Sequence, residues 1–489
     1  MATHQQGVDY DVVIIGAGIS GLNFAYRLHE RNPELSYCIL EGRHEVGGTW
    51  SLFKYPGIRS DSDLFTFGFS WRPWKEKQSI AHGSLILKYL KESAAQEGID
   101  KNIKFHHQVD QMNWSTSSKT WALDITVNDA TFITLRTRFV FLGTGYYNYH
   151  EPLEAEIPGI KAFKGMVVHP QFWPTDLDYI NKNVVIIGSG ATAVTLLPSV
   201  AKAASHVTML QRSPSYVSSV PGEGSFEKAV RMSCPDLLAY KIIRLKWILL
   251  AFLSVQFCRR FPNAARKWLY RKTAEQLPKE MALNPNFTPK YNPWQQRMCL
   301  CPEGDFYECL RSGKGSVKTG IIDTVTPNSI RLKSGEELHP DIIVTATGLK
   351  LRAMGGIKIA VDGETFDLPS RFVWQGAMIE DLPNVVLVFG YVDASWTLAS
   401  DATSQLACRL LKQMTKESVN MIVPRLSVDD KTNMKEVPLL SLKSTYIERG
   451  LSTFPKVGDR PQWRPRSNYW KDLLTAWWGD IKKGTEWVQ

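Results

Sequence analysis

Two textures of apolar and polar positions alternate along this chain. Short runs of β-branched and aliphatic residues occur at Tyr10–Ile15 (YDVVII), Tyr37–Leu40 (YCIL) and Asn183–Ile187 (NVVII). They are too short and too evenly apolar for amphipathic helices, and they predict buried parallel strands. Helix-period stretches follow at residues 22 to about 31 and 194 to about 203, and 206–210 predicts a further strand. Residues 139–145 (FVFLGTG) and 341–348 (DIIVTATG) are apolar strands that both end in Thr-Gly, and 384–390 (NVVLVFG) also ends in glycine. The alternation of strand and helix predicts an α/β fold. The repeated Thr-Gly ending marks two crossings between domains. One domain is therefore expected from 1–150 and 345–489, with a second, 151–344, inserted in it.

The turns between strand and helix carry the chemistry. Gly16-Ala17-Gly18-Ile19-Ser20-Gly21 follows the first strand, and Glu41 ends the second, twenty residues past Gly21. The first glycine makes the tight turn, the second lets a pyrophosphate approach, and the third lets helix and strand pack closely. The helix N-terminus offers free N–H groups to phosphate, and Glu41 can accept from ribose hydroxyls. Gly188-Ser189-Gly190-Ala191-Thr192-Ala193 repeats the pattern, but its next strand ends in Gln211-Arg212. An acid there would repel a 2′-phosphate, whereas a neutral residue beside a fixed cation suits one. The second turn is thus expected to take NADPH. Gly47-Gly48-Thr49-Trp50, close behind Glu41, resembles the FAD-binding half of two-dinucleotide flavoproteins, so the first is expected to take FAD.

Composition narrows the class. The chain has 489 residues, 44% hydrophobic and 22% charged, with sixteen tryptophans that suggest aromatic-lined ligand surfaces. Its formal charge is +10, but no nucleic-acid module is recognisable, and phosphate-bearing cofactors account for part of the excess. Seven cysteines contain no C-x-x-C pair. They read as reduced thiols of a cytoplasmic protein without metal or disulfide relay. Cys299 and Cys301 fall on a candidate strand and are expected on opposite faces. The N-terminus lacks the basic-then-apolar order of a signal peptide. Residues 237–272 are helical, strongly apolar and studded with Lys and Arg, within a helical subdomain of about 221–290. They suit a cover over a substrate pocket, or a surface that touches a membrane peripherally and brings apolar substrates to it.

Between the two glycine turns, residues 163–174 (FKGMVVHPQFWP) set Phe163, Gly165, His169, Trp173 and Pro174 at fixed offsets. This F-x-G-x-x-x-H-x-x-x-W-P pattern resembles the fingerprint of type I Baeyer–Villiger monooxygenases, a class of flavoprotein monooxygenases. YPGIRSDSD (55–63), GTGYYNY (143–149), MLQRSP (209–214), YNPWQQR (291–297) and GYVDASWTL (390–398) extend the resemblance over nearly the whole chain. They place it nearest the ethionamide-activating branch.

The resemblance implies two Rossmann-like domains, FAD and NADPH as cofactors, and linker residues that couple the domains' movements. It implies that NADPH reduces the flavin, that O₂ adds to give a C4a-peroxyflavin, and that a ketone becomes an ester or lactone. Arg297 is implied as the active-site arginine and Asp61 as the aspartate that positions it. Thr49, Trp50, Ser51, Leu52, Arg59, Ser60, Asp61 and Val109 join Gly16, Gly18, Ser20, Gly21 and Glu41 as implied FAD contacts. Gly188, Ser189, Gly190, Ala191, Thr192, Ala193, Val194, Gln211 and Arg212 are the corresponding NADPH set. Cyclic-ketone enzymes often carry lysine just before the arginine. Here Gln296 stands in its place, which shifts 2′-phosphate recognition onto Arg212.

The implied substrate is a small apolar ketone or thioether, with O₂ and without nucleic acid. The nearest rival is a heteroatom monooxygenase for sulfides, thioamides or amines. A disulfide reductase of the same architecture would need a cysteine pair near the flavin, and the first 230 residues contain only Cys38. A non-enzymatic NADPH sensor would hold no flavin.

Overall fold

The computed structural model describes residues 7–222, 224–440, 445–466 and 468–489. Two sheets carry the architecture. In the larger, of nine strands, Tyr10–Ile15 lies parallel between Tyr37–Leu40 and the C-terminal half of the long strand Thr131–Leu142. An antiparallel meander of His107–Ser115, Thr120–Val127 and Thr131–Leu142 extends one side. Val385–Leu387 pairs with the end of the same long strand. Val12 and Ile14 enter one core, with Phe24, Phe141 and Leu406 of the covering elements. Val13 and Ile15 enter another, with Trp114 and Trp121. That is the period of two expected of a strand buried on both faces.

The second sheet runs Gly315–Thr319, His206–Gln211, Asn183–Ile187, Ile342–Thr345, Met166–Val168, all parallel. Every strand in it comes from 166–345, so it is inserted in the first. The helices after the two glycine turns start earlier than the apolar period indicates, at Ile19 and Ala191. The reason is that Gly18 and Gly190 are themselves the N-cap residues. The first helical residues follow at once, before the apolar face begins.

The Thr-Gly endings explain the first glycine of each turn. Gly16 has φ +101°, and a Cβ there would stand 2.8 Å from the Gly143 carbonyl oxygen. Gly188 has φ +143°, and a Cβ there would overlap the Ala346 carbonyl oxygen. Each turn is pressed against the strand that leads out of its sheet. The two exits, 142–150 and 345–353, then run side by side. Asn148 N donates to Lys350 O at 2.8 Å, Arg352 N to Tyr146 O at 2.9 Å, and Tyr147 bridges Leu351.

The linker is a short edge strand, Met166–Val168, followed by a 3₁₀ turn, Pro170–Phe172. Phe163 packs on the core of the second sheet, and Trp173 meets Tyr179 edge-on at 6.2 Å. Pro174 is half-buried and Gly165 exposed, where a Cβ would overlap the Asp341 carbonyl. His169 caps the turn, its Nδ1 accepting from Gln171 N at 3.2 Å. Its buried Nε2 has no hydrogen-bond partner among the described residues. Burial lowers the His169 pKa, partly offset by the nearby Gly348 backbone.

The segment 221–290 is helical over Ser225–Ser233, Asp236–Arg260 and Pro262–Ala274. Among the described residues, no helix is long and apolar enough to cross a membrane. The expectation for Cys299 and Cys301 is corrected. They lie on the strand Cys299–Pro302, and both are buried while Leu300 and Pro302 are only partly so. Residues two apart on a strand share a face. All seven cysteines are free.

Two outcomes follow from this geometry. Gly188→Ala meets both a left-handed backbone and a carbonyl oxygen, and should cost about 2 kcal/mol or more in unfolding free energy, read by urea denaturation. Burial favours the neutral form of His169 in the fold. As pH falls below its ordinary value near 6.5, the unfolded chain takes the proton first and stability declines. His169→Gln should flatten that decline between about pH 7.5 and about pH 5.5.

Candidate active site

One continuous cavity of about 990 Å³ lies between the two sheets. It is lined by Gly16, Gly18, Ser20 and Glu41 of the first turn, by Gly188 to Thr192 of the second, and by Arg297 and Asp61. The volume is at the upper end of ordinary ligand sites.

Asp61 is aimed by its neighbours. Ser60 N donates to Ala81 O at 2.9 Å, and Ala81 N donates back to Ser60 Oγ at 3.2 Å. On the other side Asp63 caps the helix Leu64–Phe67, accepting from Thr66 N at 2.8 Å. Arg59 is ion-paired with Asp305, the first residue of the helix Asp305–Arg311. Asp61 therefore projects from a pinned segment. Arg297 projects from the residues just before the strand Cys299–Pro302, which is held parallel to Val217–Val220.

The two side chains meet in a two-point contact. Arg297 Nε stands 2.6 Å from Asp61 Oδ2, and Nη2 donates to Oδ1 at 3.1 Å. Nη2 also donates to Ser62 Oγ at 3.0 Å, and Nη1 to the Val392 carbonyl at 3.2 Å. Burial works against the guanidinium charge. The Asp61 carboxylate and the phenols of Tyr146 and Tyr147 more than offset it, so the Arg297 pKa is raised. Arg297 is a permanent cation. Nη1 carries two N–H groups and directs one at Val392.

Aromatic side chains wall this part of the cavity. Tyr146 stacks on Trp396 at 5.0 Å, its hydroxyl lies 2.8 Å from that of Tyr147, and Trp396 Nε1 donates to Ser20 Oγ at 2.9 Å. Burial raises the Tyr146 pKa, and that of Tyr55 to about 12. Gly57, on the same loop, packs so tightly on the helix Ala191–Val200 that a Cβ there would overlap Ser199, so the loop carrying Asp61 touches the helix of the second turn directly. Cys299 also faces the cavity, but burial pushes its thiol up to about 12, where it forms no thiolate nucleophile.

The glycines test whether dinucleotides fit. A Cβ on Gly190 would meet nothing within 4 Å, and one on Gly18 only Gly48 Cα at 3.8 Å. The protein itself leaves room for a side chain at both positions. Both line the cavity, so the close approach they permit is that of a ligand. Gly21 differs, because its Cβ would overlap the Gly16 carbonyl. The Glu41 carboxylate accepts from Ala17 N at 2.8 Å and Arg43 N at 3.0 Å, and burial raises its pKa. Its syn and anti lone pairs outnumber these two bonds.

Not every anticipated residue reaches the cavity. Thr49, Trp50, Arg59, Val109 and Arg212 line it. Ser51, Leu52, Ser60, Gly21, Ala193 and Val194 lie behind the wall, where they support it. Gln211 is turned inward, its amide donating to Asn286 O at 2.7 Å and Thr319 Oγ1 at 2.9 Å. His169, Phe163 and Trp173 stay on the linker, outside the lining. Sequence reasoning passed over Ser62, Tyr146 and Val392 as individual residues, although each sits inside a motif it had singled out.

Known proteins share this plan. The model of the flavin-binding monooxygenase-like family matches residues 9–351. The FAD-containing monooxygenase EthA of Mycobacterium tuberculosis is 44% identical, covering 95% of this chain and 94% of that protein. The probable FAD-binding monooxygenase AlmA of Acinetobacter baylyi is 42% identical, covering 94% and 92%. Among solved structures, a complex of OTEMO with FAD and NADP superposes with a TM-score of 0.72 at 17% identity, covering 99% of this chain and 100% of that one. A steroid monooxygenase bound to NADP gives 0.73 at 20% identity, covering 98% and 99%. The nested two-sheet fold and the matched sequence agree: the chain belongs to the flavin-binding monooxygenase-like family.

Proposed function

We propose that this chain is an FAD-dependent monooxygenase that consumes NADPH and O₂ and inserts oxygen beside a ketone carbonyl, giving an ester or lactone, with sulfur oxidation as a second activity. One observation carries the reading: a permanent guanidinium, held by a carboxylate, faces the same cavity that both glycine turns line. FAD would lie along Gly16, Gly18, Glu41 and Thr49, in the unit formed by 1–150 and 345–489. NADPH would lie along Gly188 to Thr192, with Arg212 at its 2′-phosphate, in the unit 151–344. Together these cofactors supply reductive activation of O₂.

The chain's own residues then act on the substrate side. Arg297 stabilises negative charge as it develops on the carbonyl oxygen, through the second Nη1 N–H. A fixed donor in a dry site lowers such a barrier by about 3 kcal/mol. Asp61 and Ser62 hold the guanidinium in place, and the Val392 carbonyl fixes its other end. Tyr146 and Trp396 present flat apolar faces and help exclude water. The seven free thiols support a reducing, cytoplasmic setting.

A heteroatom monooxygenase would use the same cavity but would not require a guanidinium at an oxyanion. Presenting a ketone and a thioether side by side separates the two. Arg297→Ala should lose ester formation by about 100-fold or more while NADPH oxidation continues, with ester measured by gas chromatography. Near wild-type ester yield would remove Arg297 from its role. Gly190→Ala should keep its melting temperature yet weaken NADP⁺ binding by about tenfold or more, and Gly18→Ala should likewise fold but purify with less flavin. Unchanged affinities would contradict the dinucleotide placement.

A further inference from the structure

The helix Asp236–Arg260 is apolar on the side where a surface helix is ordinarily polar. Its inner side, with Tyr240, Ile243, Ile248 and Val255, is buried. On the outer side Leu238, Leu245, Leu249 and Leu253 recur at steps of seven, four and four, which is one stripe of a helix. These leucines are 42–61% exposed, and Phe257 continues the stripe at 46%. Met232 and Phe261 are exposed at its two ends.

Charge decides what can cover that stripe. Residues 225–274 hold eleven Lys and Arg against two acidic residues, a net of nine positive charges in a chain whose total is +10. Lys241 and Arg260 of the same helix are exposed, as is Lys267 of the helix that follows. One of the two acids, Glu227, is buried and paired with Lys246. A second copy of the chain would suit the leucines but not the charges. Paired antiparallel, Lys241 of one copy would meet Arg259 and Arg260 of the other; paired parallel, each cation would meet itself. An anionic bilayer satisfies both demands, because the acyl boundary accepts the leucines and the headgroups accept the cations.

We infer that the helix Asp236–Arg260 docks the enzyme on an anionic lipid surface, lying in the plane of the headgroups. Two of its side chains, one buried and one exposed, reach the supports of the Arg297–Asp61 pair. Arg244 Nη1 donates to the carbonyls of Phe65 and Gly68 at 2.7 and 2.8 Å, closing the short helix that follows Asp61–Asp63. At the other end Arg259 pairs with Asp393 at 2.8 Å, next to the Val392 carbonyl that accepts from Arg297. Docking therefore places the cavity beside the phase in which apolar substrates concentrate. That purpose rests on the proposed oxygenation; the docking itself does not.

The test is co-sedimentation of the purified full-length protein with phosphatidylcholine vesicles, with and without phosphatidylglycerol, at low and high salt. The protein should pellet with the anionic vesicles and be released by salt. The triple variant L245E/L249E/L253E should lose more than about tenfold in partitioning, and K241E/R260E severalfold, with thermal melts unchanged. Three results would overturn the inference: wild type remaining in the supernatant, the triple variant sedimenting as wild type does, or a wild-type dimer on gel filtration that the triple variant splits. Sedimentation needs neither NADPH nor ketone, so its failure leaves the oxygenation reading standing, and a failed oxygenation assay leaves the docking result standing.

Discussion

A guanidinium and a carboxylate 236 residues apart in the chain meet at two points across the cavity. This contact sets the demands on the surrounding structure. Asp61 must come from a loop stitched to residues 79–82 and capped into a helix, because a mobile carboxylate would leave the cation unaimed. Arg297 must come from a strand end of the other body, because its role requires it to face the cavity from the opposite wall. The exchange of hydrogen bonds with Ser62 and Val392 removes the remaining freedom of a long side chain. Partial desolvation strengthens the pair without trapping an uncompensated charge.

The glycines divide into two kinds by the same logic of space. Gly16, Gly21 and Gly188 are required by the protein, since a carbonyl oxygen occupies the volume a Cβ would need. Gly18 and Gly190 are not, since the volume is open. A fold selected only for stability would have no use for the second kind. The distinction separates a parallel βαβ unit as architecture from the same unit as a phosphate cradle.

Much of this was legible in sequence because it is local. The strands at Tyr10–Ile15 and Asn183–Ile187, the turns, and the paired Thr-Gly exits depend on residues within a few positions of one another. The nesting of one sheet in the other followed from the repeated exit. Resemblance, not periodicity, brought Arg297 and Asp61 forward, because no spacing rule joins residues so far apart. Tyr146, Ser62 and Val392 could not be singled out individually, since their roles exist only once two distant segments are folded together. Gln211 shows the opposite limit. Its position at the strand end was correctly read, but the pleat turns its amide toward Asn286 and Thr319 and away from the cavity. The cysteine pair on Cys299–Pro302 is governed by the same pleat.

The two exits, one from each sheet, are not independent tethers. Hydrogen bonds between Asn148 and Lys350, and between Tyr146 and Arg352, zip them into a narrow ribbon. Sliding one exit past the other would break these bonds and leave their N–H and C=O groups unpaired. The inserted body is thus attached as by a strap whose two halves are bonded to each other, and Tyr146 and Tyr147 of the cavity wall are themselves part of that strap.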